Sequence, residues 1–313
     1  MWKIRVSNTL AILSIMSVLA MSTLFMYAAS GIFKNEEARM NSIDLSVRPT
    51  TSSFSSEYFK DITLEAQAAY VYDVNTKKVL YQKNDDIPLP LASITKAMTA
   101  LVAEETDQNN LTVTIDQNAL ATDGESGLQE GEKWNLKKLL SFMLISSSND
   151  GAAAVAEALG NSQIRPFVDM MNKKSKELGL DTLSFSNPTG LDVDSTNEVG
   201  GYGSAKDVAS LFEYTIKNHP DLLEATTYSS KSFSSDSFSH LARNTNTAIL
   251  DIPNSLASKT GYTLKAGGNL ALVFDRGLNE PVIMVVLGSS YDGRFTDIEN
   301  LASSTLKTYN QSQ

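Results

Sequence analysis

The sequence predicts an α+β fold: a sheet assembled from both ends of the domain, carrying an inserted helical lobe. Two observations lead there. Five short segments with strand character lie near the two ends of residues 61–313, and the stretch between them repeats its apolar residues at helical spacing. Nothing in the chain repeats at a fixed period, which sets aside solenoids and propellers. In chain order, Ala66 to Asp73 and Lys78 to Gln82 flank the turn Asn75-Thr76-Lys77 and read as a hairpin. Ile94, Ala97, Met98, Leu101 and Val102 then recur at helical spacing, as do Leu136, Leu139, Leu140, Met143 and Leu144. Ala152 to Leu159 is rich in helix formers, and further helices are expected at Ile164 to Leu178 and Ala205 to Lys217. Ser255 to Thr263, Asn269 to Asp275 and Val282 to Leu287 supply the remaining strands, with turns at Lys265-Ala266-Gly267-Gly268 and Arg276 to Pro281. The helical lobe is expected over roughly 97–245, and the cleft between lobes is the default place for a site.

Two segments precede the domain. Lys3 and Arg5 lead into an uncharged run from Leu10 to Ala29, enough residues to cross about 30 Å of hydrocarbon as a helix. The basic flank stays on the cytoplasmic side, so everything after residue 30 is expected outside the cytoplasm. Residues 1–30 are a signal-anchor or a signal peptide. Ala28-Ala29-Ser30 offers a small-residue cleavage site, whereas a run longer than the usual signal core favours retention at the cytoplasmic membrane. Residues 31–60 are polar and hydroxyl-rich, with Pro49-Thr50-Thr51-Ser52-Ser53 at their centre, and read as a tether.

Composition narrows the chemistry. At 313 residues, 42% hydrophobic and 20% charged, the chain is long enough for one large or two-lobed domain. A net charge of −10 argues against a nucleic-acid partner, which rewards clustered Lys and Arg. The absence of Cys removes disulfides, thiolate metal sites and a Cys nucleophile together. His219 and His240 are the only histidines and sit among polar residues, so both are expected on the surface. No metal or cofactor is expected.

Three short motifs carry reactive groups: Ser93-Ile94-Thr95-Lys96, Ser147-Ser148-Asn149 and Lys259-Thr260-Gly261. Each pattern alone occurs by chance, since Ser304-Thr305-Leu306-Lys307 repeats the first and Ser195-Thr196-Asn197 the second. A serine at the first turn of a helix with a lysine three residues on brings hydroxyl and amine together, so the amine can take the proton. That lysine must be neutral in part, which burial and a second cation such as Lys259 would promote. The Ser93 amide is a candidate oxyanion donor. Taken alone, Ser-Ser-Asn-Asp is an N-cap and turn; between two helices it would point Ser147 and Asn149 into a cleft. Lys259-Thr260-Gly261 falls on a strand, where a bound peptide could add to the edge and Gly261 would let it approach closely.

Together with Ala92 to Ala100, Ser148 to Ala152, Asn187-Pro-Thr-Gly-Leu-Asp192, Asn244-Thr-Asn246 and Lys259 to Thr263, these motifs give the chain a resemblance to the serine D-Ala-D-Ala carboxypeptidases, low-molecular-mass penicillin-binding proteins of peptidase family S11, from about Ala66 to about Leu301. The resemblance implies a penicillin-binding/β-lactamase-like fold, a five-stranded antiparallel sheet flanked by helices, over a catalytic domain at 61–313. It implies Ser93 as acylated nucleophile, Lys96 as its base and Ser147 as proton relay to the leaving amine. Asn149 would hold the substrate's peptide carbonyl, Lys259 and Thr260 its terminal carboxylate, and the Tyr262 amide would be the second oxyanion donor. Arg294, in Asp292-Gly-Arg294, resembles the family's carboxylate-binding arginine, one residue nearer the preceding strand.

The implied reaction removes the terminal D-Ala from peptidoglycan stem peptides ending in D-Ala-D-Ala, with β-lactams as covalent inhibitors. Two departures stand out. Many family members continue into a β-rich second domain and a C-terminal amphipathic anchor, so attachment here is expected from the N-terminal segment. Lys77 replaces the glycine expected in the first hairpin turn. The alternatives are a class A-like β-lactamase, a DD-endopeptidase and a non-enzymatic cell-wall binding module. The first needs a Glu to activate water, and Asn187 to Asp192 matches the carboxypeptidases instead.

Overall fold

The structure is a computed structural model that describes residues 57–107, 111–124, 126–193 and 198–310. The Leu10 to Ala29 run, most of the tether and the Ser195-Thr196-Asn197 motif lie outside the described residues. Among the described residues no helix is long and apolar enough to cross a membrane.

Five antiparallel strands form the central sheet: β1 (Ala68–Asp73), β2 (Lys78–Lys83), β3 (Ser255–Thr263), β4 (Gly267–Asp275) and β5 (Pro281–Ser289). Their spatial order is β3-β4-β5-β1-β2, so the two chain ends meet where Ala68 pairs with Leu287, and β3 is an edge. Strand alternation sorts the side chains into two cores. Ala271 and Val273 of β4 with Ile283, Val285 and Leu287 of β5 face the helical side. Leu270, Leu272 and Phe274 with Val282, Met284 and Val286 face a smaller core completed by Phe59 and Ile298. Both faces are covered, which is why β4 and β5 read as nearly continuous apolar runs instead of alternating with polar residues. In the first hairpin Lys77 adopts φ 55°, the left-handed conformation that explains why glycine suits that turn.

Among the described residues seven helices complete the domain: α1 (Thr95–Thr106), α2 (Gln117–Leu120), α3 (Leu136–Ser146), α4 (Asn149–Leu159), α5 (Ile164–Glu177), α6 (Ala205–Asn218) and α7 (Gly293–Asn310). Alanines at 152, 153, 154 and 156 are all buried, and their small size lets α4 lie close against α1, α3 and α5. Although α6 lies inside the stretch expected to form the helical lobe, it packs on β1 and β5. Ile298, Leu301 and Ala302 of α7 cover the other face of the sheet.

The middle of the chain is not purely helical. Short ribbons pair 112–114 with 133–135 and 230–234 with 239–243, while 201–203 joins 89–90 to 184–185. They are too short, and the 230–243 ribbon too rich in serine, to show an apolar alternation in the sequence. The histidines also depart from expectation. His240 contacts the Trp134 and Phe142 rings, and its Nε2 lies 2.8 Å from the buried Glu132 carboxylate, which also accepts from Trp134 Nε1. His219 lies 3.3 Å from Glu105. Each packs against a carboxylate that is distant in sequence and could not be read from its polar neighbours.

Candidate active site

Ser93 lies in a 3₁₀ turn, Ala92–Ile94, that runs directly into α1 and so puts Lys96 in the first α-helical turn. Ala92 takes φ 47°, a conformation a β-carbon disfavours. Neighbouring backbone holds it there. The Leu91 amide donates to the Gly201 carbonyl at 2.9 Å, and Gly190 crosses so close that a Cβ on it would sit 1.9 Å from the Ala92 carbonyl oxygen. Such strain persists only where surrounding structure enforces it.

Lys96 is completely buried. Its Nζ lies 2.9 Å from Ser93 Oγ, 2.6 Å from Asn149 Oδ1 and 2.7 Å from the Thr189 carbonyl oxygen. The last two groups only accept, so a neutral amine, with two N–H bonds and one lone pair, satisfies both and turns its lone pair to the Ser93 hydroxyl. Burial, and then the nearby charge of Lys259, hold the Lys96 ammonium well below its ordinary range, against the opposing pull of Asp150.

Ser147 owes its direction to a two-residue link between helices. It ends α3 in the left-handed region, at φ 60° and ψ 33°, and Ser148 then caps α4 by accepting from the Gly151 amide at 2.8 Å. Ser147 Oγ consequently accepts from Lys259 Nζ at 2.9 Å, although the two are 112 residues apart in sequence. Asn149, the first residue of α4, accepts from Lys96 and donates through Nδ2 to the Asp123 carbonyl at 2.6 Å. One hydrogen of that amide remains for a ligand.

Lys259, Thr260, Gly261 and Tyr262 lie on the edge strand β3. Lys259 Nζ also donates to the Thr260 carbonyl at 2.9 Å, and burial followed by the charge of Arg294 pushes its pKa down to about 7. Thr260 Oγ1 lies 2.5 Å from Thr245 Oγ1. The Ser258 amide turns outward to Thr226 Oγ1, and strand alternation turns the Thr260 and Tyr262 amides to the same open edge. Gly261 corrects an expectation. A Cβ there would meet the Leu91 carbonyl at 2.6 Å and the Ser93 and Ile94 amides at 3.2 Å, so the close approach that requires the glycine is that of the chain's own Ser93 turn. Arg294, the second residue of α7, donates to the Gly261 carbonyl at 3.0 Å.

The structure therefore gathers all nine residues singled out in the sequence around the 3₁₀ turn, the α3–α4 link and the β3 edge. Ser304 stands apart on α7. The Thr189 carbonyl and Thr245 were not given roles from the sequence. Both fall inside the family-like stretches, which was the available signal, but a backbone carbonyl carries no side-chain mark. Among the described residues no group of three or more His, Asp or Glu is arranged to hold a metal ion.

A family model described as D-alanyl-D-alanine carboxypeptidase, peptidase family S11, matches residues 54–291. The chain is 35% identical over 236 residues to the D-alanyl-D-alanine carboxypeptidase DacF of Bacillus subtilis, covering 74% of this chain and 59% of that protein. It is 31% identical over 250 residues to a D-alanyl-D-alanine endopeptidase of Escherichia coli, covering 77% and 76%. A solved structure of penicillin-binding protein D2 from Listeria monocytogenes in its cefotaxime-bound form superposes with a TM-score of 0.67 at 30% identity, over 78% of this chain and 98% of that one. The chain thus spans about three-fifths of DacF.

Proposed function

The chain belongs to the D-alanyl-D-alanine carboxypeptidase family, peptidase family S11, and from that premise we propose that it removes the terminal D-Ala from peptidoglycan stem peptides through an ester on Ser93. The observation that carries this reading is the buried Lys96 amine, 2.9 Å from Ser93 Oγ and held there by two groups that only accept. Burial and the nearby Lys259 charge lower its pKa, the direction a general base needs.

In the first step Lys96 takes the Ser93 proton as Oγ attacks the penultimate carbonyl. The Ser93 and Tyr262 amides hold the oxyanion, and the outward direction of the Tyr262 amide supports that role. The C–N bond then breaks. Ser147, bonded to Lys259, passes a proton to the departing amine and is resupplied with the one Lys96 took from Ser93, so Lys96 is neutral again when free D-Ala leaves. Water attacks the ester in the second step and restores Ser93. Asn149 Nδ2 holds the peptide carbonyl, while Lys259, Thr260 and Arg294 bind the terminal carboxylate. No step draws on a metal or cofactor.

A β-lactam offers the same carboxylate beside a strained amide, and its amine stays tethered after ring opening. It should therefore leave a persistent ester on Ser93. The Leu10 to Ala29 run would hold the protein at the outer face of the cytoplasmic membrane. Retention in membranes after high-salt washing tests the anchor, and a soluble protein beginning at Gly31 would refute it.

Mass spectrometry of defined muropeptides tests the activity. Loss of one D-Ala from an uncrosslinked pentapeptide, abolished by Ser93→Ala, is the expected result. Cleavage of crosslinked dimers with no D-Ala released from monomers would favour the endopeptidase reading, which the relatives bearing that name keep in view.

A further inference from the structure

Beside Lys259 and Thr260 stands an aromatic cluster whose side chains none of these roles uses. Arg294 is 4% exposed, and its guanidinium carbon lies 4.4 Å from the Tyr291 ring centroid, 4.6 Å from that of Phe295 and 5.9 Å from that of Tyr262. Its Nε is buried without a hydrogen-bond partner, and among the described residues no carboxylate comes within 4 Å of it. A buried guanidinium with spare donors is expensive unless an anion meets it. Tyr262 and Tyr291 meet edge to face, centroids 4.9 Å apart and rings at 89°, yet they remain 42% and 55% exposed. One ring comes from the strand edge and the other from the segment just before α7. The pair therefore bridges the two elements that flank Arg294.

We propose that Tyr291, with Tyr262, forms a gate beside the carboxylate site that limits the leaving group to a small D-amino acid. The inference rests on the carboxypeptidase reading. A leaving residue whose carboxylate is held by Lys259 and Arg294 has its Cα one bond from that carboxylate, so its side chain starts next to the rings stacked on Arg294. The methyl of D-Ala packs there without displacing them. A leaving amine that belongs to a second stem peptide carries an extended chain, which must pass the ring pair. The bonds formed and broken are the same in both cases: Ser93 Oγ joins the acyl carbon, the C–N bond breaks and the amine departs with a proton. Only the bulk attached to the amine differs, so the gate acts on selection between leaving groups and not on the chemical step.

The test uses the full chain with an uncrosslinked pentapeptide muropeptide and a D-Ala-crosslinked dimer, and reads the ratio of dimer cleavage to D-Ala release. Tyr291→Ala should raise that ratio about tenfold or more. Tyr291→Phe should keep the wild-type ratio, because the ring and not the hydroxyl is the barrier, and Tyr291→Trp should lower it. Stoichiometric labelling of Ser93 by fluorescent penicillin shows that each variant is folded. An unchanged ratio in labelled Tyr291→Ala, or a Phe variant that shifts as far as the Ala variant, overturns the gate. If the wild type releases no D-Ala from the monomer, the carboxypeptidase reading itself falls and the gate falls with it.

Discussion

Arg276, at the turn between β4 and β5, donates to Asp73 Oδ2 at 2.6 Å and to Glu280 Oε2 at 3.2 Å, whereas Lys96, Lys259 and Arg294, towards the opposite end of the sheet, have no carboxylate within 4 Å among the described residues. Both regions hold cations largely out of water. The first compensates its charge inside the protein, as a chain does where only the fold is at stake. The second has no contact ion pair, only the more distant pull of Asp150 on Lys96 and of Asp292 on Arg294, and the consequence is visible in the lysines: each is displaced downward in pKa, first by burial and then by a neighbouring cation. The contrast teaches where stability was given up. A cluster without contact ion pairs is poor for folding, but it prepares both a base and a seat for an anion.

Four measurements can break or sharpen that contrast. The largest effect is expected on the side without ion pairs: Lys96→Ala should slow acylation of Ser93 by about 10²- to 10⁴-fold, the range of a lost general base. The urea midpoint should fall by a smaller measure, because Asn149 Oδ1 and the Thr189 carbonyl lose their donor when the amine is removed. Stopped-flow labelling with fluorescent penicillin and a denaturation curve measure the two, and a large loss of stability would make Lys96 structural.

On the compensated side the order reverses. Asp73→Ala breaks the bond to Arg276 and also strips the Asn75 and Thr76 amides of their acceptor. It should destabilise by about 3 kcal/mol, near the low end for a broken buried pair because Arg276 keeps Glu280. Labelling per folded molecule should match wild type; a labelling rate that falls with stability would show that the two ends are not independent.

A third measurement follows Lys259, whose folded pKa of about 7 lies below its ordinary 10.5. Below pH 7 folded and unfolded chains both carry the proton, and the burial penalty is felt in full. Between about pH 7 and 10 the folded chain has released it while the unfolded chain has not, so stability rises with pH, by at most about 1.4 kcal/mol per unit. The rise should be missing from the difference curve of Lys259→Met; a parallel pair of curves would place the titration elsewhere.

The smallest effect belongs to the decoy. Ser304→Ala, on α7 and away from both lysines, should leave penicillin labelling and its mapped site unchanged. An adduct on Ser304 in the wild type would sink the assignment of Ser93.

Much of this was legible before any coordinates, and the reasons are local. Ser255–Thr263 was bounded correctly because a β-rich run ends at turn residues, and α6 was bounded within one residue because its apolar face repeats at helical spacing. His240 was misread because burial depends on Glu132 and Trp134, more than 100 residues away. The role of Gly261 was misread for the same reason: its constraint comes from Leu91 and Ser93.

By itself the sequence determined the elements, the identity of the reactive groups and, through Ser147 and Ser148, a helix link too short to leave their direction free. Tertiary structure alone decided which groups meet. The Thr189 carbonyl completes the shell that suits a neutral Lys96, Ser147 finds Lys259, and Tyr262 finds Tyr291 over Arg294. Periodicity and motif spacing act over a few residues and can be read along the chain. Desolvation and charge coupling act through space, between residues that only the folded sheet and helices bring within reach.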